Sequence, residues 1–234
     1  MSKRHHPASR RQPHTPEQQD DAFVAGVMDL SRWASHNRQL LVLSGVVLTL
    51  LISGGLYYIN FQRSVAIQAM NQLESIHQSI SISAFEDAKA QLSTFLDSFK
   101  GTDEAHEAVV LLGRLHLEAG DAAVAISVLE RVGLSLGDAL GLQGSSLLAR
   151  AYEDQGRWPD AEGLYLRIAD RADLDFQIRD ALESGARTRH RQQDIEGAAE
   201  LYERILEMFE ADDPGRGIYE LRLAEMRGVA EGLG

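Results

Sequence analysis

Three arginines recur at nearly constant intervals along the chain: Arg114, Arg150 and Arg187, separated by 36 and 37 residues. A guanidinium presents a planar fork of N–H donors matched to a carboxylate or to backbone carbonyls, so a ladder of them suits gripping a peptide. A local use competes. Glu118 follows Arg114 and Asp154 follows Arg150 by four residues, the spacing of helix-surface ion pairs worth only tenths of a kcal/mol. Arg187 has Arg191 at that spacing and would turn to Glu183 instead.

Reaction chemistry has little to stand on. The 234 residues include no cysteine, which excludes a disulfide framework, a thiolate zinc site, an iron–sulfur cluster, a cysteine nucleophile and a lipidated cysteine anchor. Of eight histidines, His5, His6, His14 and His36 lie in the N-terminal region. Glu74 and His77 make a Glu-x-x-His pair, but metal sites of that type need matching carboxylates on other helices, and a solvated helix face is the expected reading. Neither a His-Glu-x-x-His helix, a phosphate-binding glycine loop nor a Gly-x-Ser-x-Gly elbow occurs. The expectation is a protein that is not an enzyme, with no cofactor, no metal and no small-molecule substrate. A net charge of −12 argues against coating nucleic acid, which requires phosphate neutralisation by Lys and Arg.

The arginines are held in register by a repeat. In FEDAKAQL, DAAVAISVL, WPDAEGLYL and IEGAAELYE, the small residues Ala88, Ala125, Ala161 and Ala198 are separated by 37, 36 and 37, and four residues after each comes a large one: Leu92, Leu129, Tyr165 and Tyr202. Small then large at this spacing lets a neighbouring helix approach and then fills the gap beyond it. Upstream of the two central copies, LGRLHLEAG and LARAYEDQG place Gly113, His116 and Gly120, then Ala149, Tyr152 and Gly156, again shifted by 36. These segments resemble the tetratricopeptide pattern over residues 66–210, with a 36–37 period in place of about 34. Ser83 with Glu86 forms a candidate capping box, Thr102 precedes two acids, and Pro159 and Pro214 suit first helical positions. The fold class is therefore all-α, a helical-hairpin solenoid, with Pro214–Leu233 as a capping helix. The tetratricopeptide resemblance implies that Arg114, Arg150 and Arg187 face a concave peptide-binding groove. Val110 and Leu117, beside Glu107 and Glu118, would line it or else belong to the core.

Ahead of the repeats, LLVLSGVVLTLLISGGLYYI at residues 40–59 contains no ionisable group at neutral pH apart from its tyrosines, and twenty helical residues rise about 30 Å, the thickness of the hydrocarbon core. It reads as an uncleaved transmembrane helix, since the apolar region of a signal peptide is shorter and nearer the N-terminus. Trp33, Tyr57 and Tyr58 flank it, and Arg32 and Arg38 outnumber Arg63, so the N-terminus is expected to stay cytoplasmic. Residues 1–39 carry a formal balance of +2, which leaves −14 for the remainder. Gly45, Thr49 and Ser53 share one face of the span and would admit a packing helix, if they are more than ordinary membrane-helix composition. Residues 1–20, with Pro7, Pro13 and Pro16, read as a disordered cytoplasmic tail. Residues 21–39 read as an amphipathic juxtamembrane helix bearing Phe23, Val27, Leu30 and Ala34, and residues 60–234 as the repeat domain, entered by a helix that runs on from the span.

A short N-terminal part, Trp33 and Asn37 before a single span, Tyr57, Tyr58 and Phe61 after it, and a degenerate repeat array following at once resemble the YfgM-like family of ancillary subunits of the SecYEG translocon. The resemblance implies a single-pass protein of the bacterial inner membrane with periplasmic repeats, partnered by translocon subunits, translocating chains or periplasmic chaperones. The alternative expectation is a scaffold that joins cell-envelope or division proteins.

Overall fold

The computed structural model describes Met28, residues 33–132 and residues 135–233. The expected tail over residues 1–20 lies outside the described residues, as do Phe23, Val27 and Leu30 of the juxtamembrane segment; residues 33–36 are helical. Among the described residues the elements are α1 (Arg38–Ser81), α2 (Phe85–Ser98), α3 (Asp103–Glu118), α4 (Ala122–Leu129), a 3-10 turn (Glu130–Val132), α5 (Ala139–Asp154), α6 (Trp158–Ala169), α7 (Asp175–Arg191), α8 (Ile195–Leu206) and α9 (Arg216–Leu233). No strand occurs among them. Two compact units are defined, residues 1–62 and 63–234.

In the first unit, α1 contains an apolar window of mean hydropathy 2.2, none of it buried. Its side-chain hydroxyls bond within the helix, Ser44 to the Leu41 carbonyl at 3.0 Å and Thr49 to the Gly45 carbonyl at 2.9 Å. A Cβ on Gly45 would meet nothing within 4 Å.

The second unit is built from helical hairpins in succession. The last turns of α1 bury Ala69, Leu73 and Ile76 against Ala88, Leu92 and Phe95 of α2, and this core continues into Val109, Leu112 and Leu115 of α3. Further pairs are α3 with α4, α5 with α6 and α7 with α8. The final helix α9 lies on α8 and contributes Leu223 and Met226 to the core, as a capping helix should. All four small positions, Ala88, Ala125, Ala161 and Ala198, are 0% exposed, and the large residue four places on is buried in each case. Packing explains the pairing of sizes. A Cβ on Gly113 of α3 would stand 2.6 Å from Cγ of Leu129 on α4, so the large residue of one helix occupies the space that the small residue of its partner vacates.

The hairpin turns repeat as faithfully as the helices. Ser83, Gly120, Gly156 and Gln193, spaced 37, 36 and 37, all take positive φ, between 62° and 82°. The residue after each donates its N–H back to a carbonyl five positions earlier: Ala84 to Ser79, Asp121 to His116, Arg157 to Tyr152 and Asp194 to Arg189. This left-handed turn satisfies orphan carbonyls at the end of one helix and starts the next helix one residue later.

Two local expectations are corrected. Ser83 and Glu86 form no capping box, because Ser83 is the left-handed turn residue, Ala84 precedes the helix without a side-chain cap, and Glu86 instead pairs with Lys89 at 2.6 Å. Pro159 occupies the second position of α6, after Trp158, and Pro214 stands two residues ahead of α9, in a turn where Asp213 accepts from the Gly215 N–H at 2.7 Å. Thr102 does cap α3, accepting from the Ala105 N–H at 3.2 Å, and Asp138 and Asp194 cap α5 and α8 in the same way.

Candidate functional site

The arginines arise on the first helix of successive hairpins, Arg114 on α3, Arg150 on α5 and Arg187 on α7. Arg150 and Arg187 line one recess of about 450 Å³ between α5, α6 and α7, together with Gln143, Ser146, Glu153, Asp154, Tyr165 and Asp180. Arg187 also borders a neighbouring recess of about 260 Å³ that reaches His190, Tyr202 and Arg222 of α7, α8 and α9. Arg114 lines neither of these.

The expected helix-surface pairs do not form. Among the described residues, neither Arg114 with Glu118 nor Arg150 with Asp154 closes an ion pair, and Arg187 turns to Glu153 rather than Glu183. Arg187 Nε lies 3.8 Å from Glu153 Oε1, and its Nη2 donates to Ser184 Oγ at 3.1 Å. The physical reason is that a partly buried acceptor on the adjacent first helix is held in place, whereas an exposed i, i+4 pair must restrain two long side chains in water for little gain.

Glu153, one of the residues that spacing did not single out, organises the recess. Its carboxylate accepts from the Tyr165 hydroxyl at 3.0 Å and lies 3.0 Å from the hydroxyl of Thr188, which is fully buried and also reaches the Ser184 carbonyl at 2.8 Å. One carboxylate thus joins α5, α6 and α7. Burial, with Glu153 beside it, pushes the Tyr165 phenol well above its ordinary range. A parallel linkage ties α6, α7 and α8: Arg189 of α7 donates to Glu162 of α6 at 2.7 Å and to the Gly197 carbonyl of α8 at 3.0 Å. Burial opposes the Arg189 charge, but the bond to Glu162 and the nearby Asp194 and Glu200 carboxylates outweigh it and raise its pKa. The only sequence signal for either network is the density of acids and arginines along the hairpin helices, which does not say which residues meet.

The remaining candidates fall elsewhere. Val110 is 3% exposed and belongs to the interior, not to a groove lining, and Leu117 is half-buried against the core. His77 Nε2 lies 3.0 Å from the Glu107 carboxylate across α1 and α3, so His77 meets a carboxylate on another helix and not Glu74. Among the described residues no group of three His, Asp or Glu is placed to hold a metal. Gly45, Thr49 and Ser53 lie on the exposed part of α1 in the first unit.

The recess thus offers hydrogen-bond donors and acceptors at an open surface: a guanidinium at Arg150 that closes no ion pair with any described residue, one at Arg187 3.8 Å from Glu153, and Gln143 and Ser146 alongside. That equipment is fit for non-covalent capture of an extended chain.

Comparison with known proteins identifies the same architecture. The tetratricopeptide repeat-like domain family matches residues 31–155, and the tetratricopeptide repeat family matches residues 145–178. No significant match is found among curated proteins. Among solved structures, the chain is similar to nearly identical TPR-like repeats of a kinesin light chain-like protein from Podosopora anserina, at TM-score 0.57 and 17% identity, covering 70% of this chain and 89% of that one. It is also similar to a tetratricopeptide repeat protein from Parabacteroides merdae, at TM-score 0.56 and 15% identity, covering 70% of this chain and 61% of that one. At these identities the likeness shows the fold.

Proposed function

The chain belongs to the tetratricopeptide repeat-like domain family, a protein–protein interaction module, and from that premise we propose a membrane-tethered, non-enzymatic module of the bacterial inner membrane, with its repeats in the periplasm. The observation that carries the reading is the apolar window in α1, of mean hydropathy 2.2 and wholly unburied, immediately ahead in sequence of the helical hairpins. Side chains such as Leu50 and Leu51, 67% and 68% exposed, would cost about 1.5–3 kcal/mol each if left in water and cost nothing in lipid.

The module is an ancillary subunit of the translocon, of the YfgM-like kind, whose groove holds emerging chains or periplasmic chaperones through Arg150 and Arg187. Weak capture is enough. A tether confines the groove to the membrane where chains emerge, and effective concentration replaces affinity. Gly45, Thr49 and Ser53 supply the small face on which a translocon helix packs.

The test is photocrosslinking in cells from a probe at Gly45 and a probe at Arg150 in the full chain. Gly45 should capture translocon subunits and Arg150 a heterogeneous set of chains, reduced when Arg114, Arg150 and Arg187 are all replaced by Ala. One or two stoichiometric envelope proteins at both probes would replace this reading with the scaffold. Recovery of the full chain in the aqueous fraction after carbonate extraction would end the membrane assignment.

A further inference from the structure

A second concavity lies on a different side of α3 from the arginine. It is a cleft of about 500 Å³ between α2, α3 and α4. Val109, Leu112 and Val128 form its floor, almost fully buried, and Val124, 43% exposed, forms an apolar edge. At 3.6 residues per turn, Arg114 stands about 140–160° around α3 from Val109 and Leu112, so this cleft is separate from the arginine face.

Its rim departs from the rest of the chain in charge. Residues 40–234 carry −14, yet the ionisable residues lining the cleft are Lys100, Arg131, His106, His116 and a single acid, Asp97. Asp97 is engaged with Lys100 at 3.4 Å. Arg131 closes no ion pair with any described residue, so its guanidinium is available over an apolar floor. Ser93 and Ser127 donate to carbonyls of their own helices and add no competing charge.

We propose that this cleft is a second docking site, for an apolar peptide segment that carries carboxylates. The apolar side chains would cover Val109, Leu112, Val124 and Val128 while the carboxylates reach Arg131 and Lys100, the latter exchanging its exposed partner Asp97 for the ligand. Charge complementarity selects the occupant: a basic-rimmed apolar cleft favours an apolar segment that carries carboxylates over one that carries basic side chains. The assignment does not depend on the translocon reading, since it uses different residues and a different face.

The test uses the full chain in nanodiscs of zwitterionic lipid and fluorescence anisotropy of a labelled octapeptide in which leucines are followed by two aspartates. Binding should weaken at least about tenfold in the K100E/R131E double variant, equivalent to about 1.4 kcal/mol, and stay unchanged in R171E, at an exposed arginine that lines neither this cleft nor the recesses beside Arg187. A peptide with lysines in place of the aspartates should bind the wild-type protein at least about tenfold more weakly than the acidic one. Equal binding of the two peptides, unaltered binding by a folded K100E/R131E variant, or loss of binding in R171E would overturn the proposal; the peptide comparison requires no variant to fold.

Discussion

Replacing Glu153 with Ala would leave the Tyr165 hydroxyl, now 3.0 Å from the carboxylate, without its acceptor and the buried Thr188 hydroxyl with only the Ser184 carbonyl. Stranding a buried polar group costs about 1–3 kcal/mol, so denaturant titration of E153A should show a loss of that size, with E153Q losing less because the amide oxygen can still accept. The tyrosines give a second expectation. Burial, helped by its bond to Glu130, lifts the Tyr152 pKa from 10.0 to about 12, and burial raises Tyr202 and Tyr219 in the same direction. A phenol that holds its proton more tightly when folded stabilises the fold fully below the unfolded pKa and loses that contribution as pH rises through the folded one. The phenols' contribution to stability, followed by urea titration, should therefore hold up to about pH 10 and be lost as pH rises towards about 12; replacing Tyr152 with Phe should remove part of that loss. At this scale the sequence showed the arginine spacing but not the partners. Arg187 and Glu153 are 34 residues apart and meet only because successive first helices lie side by side.

Between helices, the left-handed turn carries the period as clearly as the packing does. Ser83 and Gln193 hold φ values of 62° and 66° where the two central repeats use glycine. A non-glycine residue there costs about 1–2 kcal/mol, less the extra chain entropy glycine loses on folding. The S83G and Q193G variants should each be more stable by about 0.5–1 kcal/mol, read as a rise in melting temperature, and G120A less stable by a similar amount; an S83G variant that melts lower would show that the turn is held by its side chain. The two central turns were legible because Gly120 and Gly156 announce them. The outer two were hidden by residue type. Ser83, with Glu86 three places on, carries the pattern of a cap, and the backbone requirement of a one-residue turn between closely spaced helices prevailed over it. Val110 was ambiguous for a related reason: groove and core positions alternate within a single turn of α3, and only the packing of α5 on α3 decides which side a residue takes.

Across the whole repeat unit, contacts run from each helix to its neighbours, with α2 on α3, α4 and α5 on α3, and so on to α9 on α8. Such an array is stabilised as a chain of nearest-neighbour terms, so damage at one end should stay near that end. The C-terminal end is closed by α9, which covers the core around Tyr202 and Ile205 with Leu223 and Met226. It also supplies Arg216, whose guanidinium donates to the Leu206 carbonyl at 3.1 Å and so satisfies the end of α8, and Arg227, which pairs with Glu203. Ending the chain before Arg216 removes two buried side chains worth about 3–6 kcal/mol together and leaves that carbonyl to water. Hydrogen exchange on the shortened protein should show protection falling steeply in α8 and then α7, while α2 and α3 exchange as before. Uniform loss along the array would mean that the hairpins unfold as one cooperative block, and the groove between α5 and α7 would then depend on the cap as much as on its own walls.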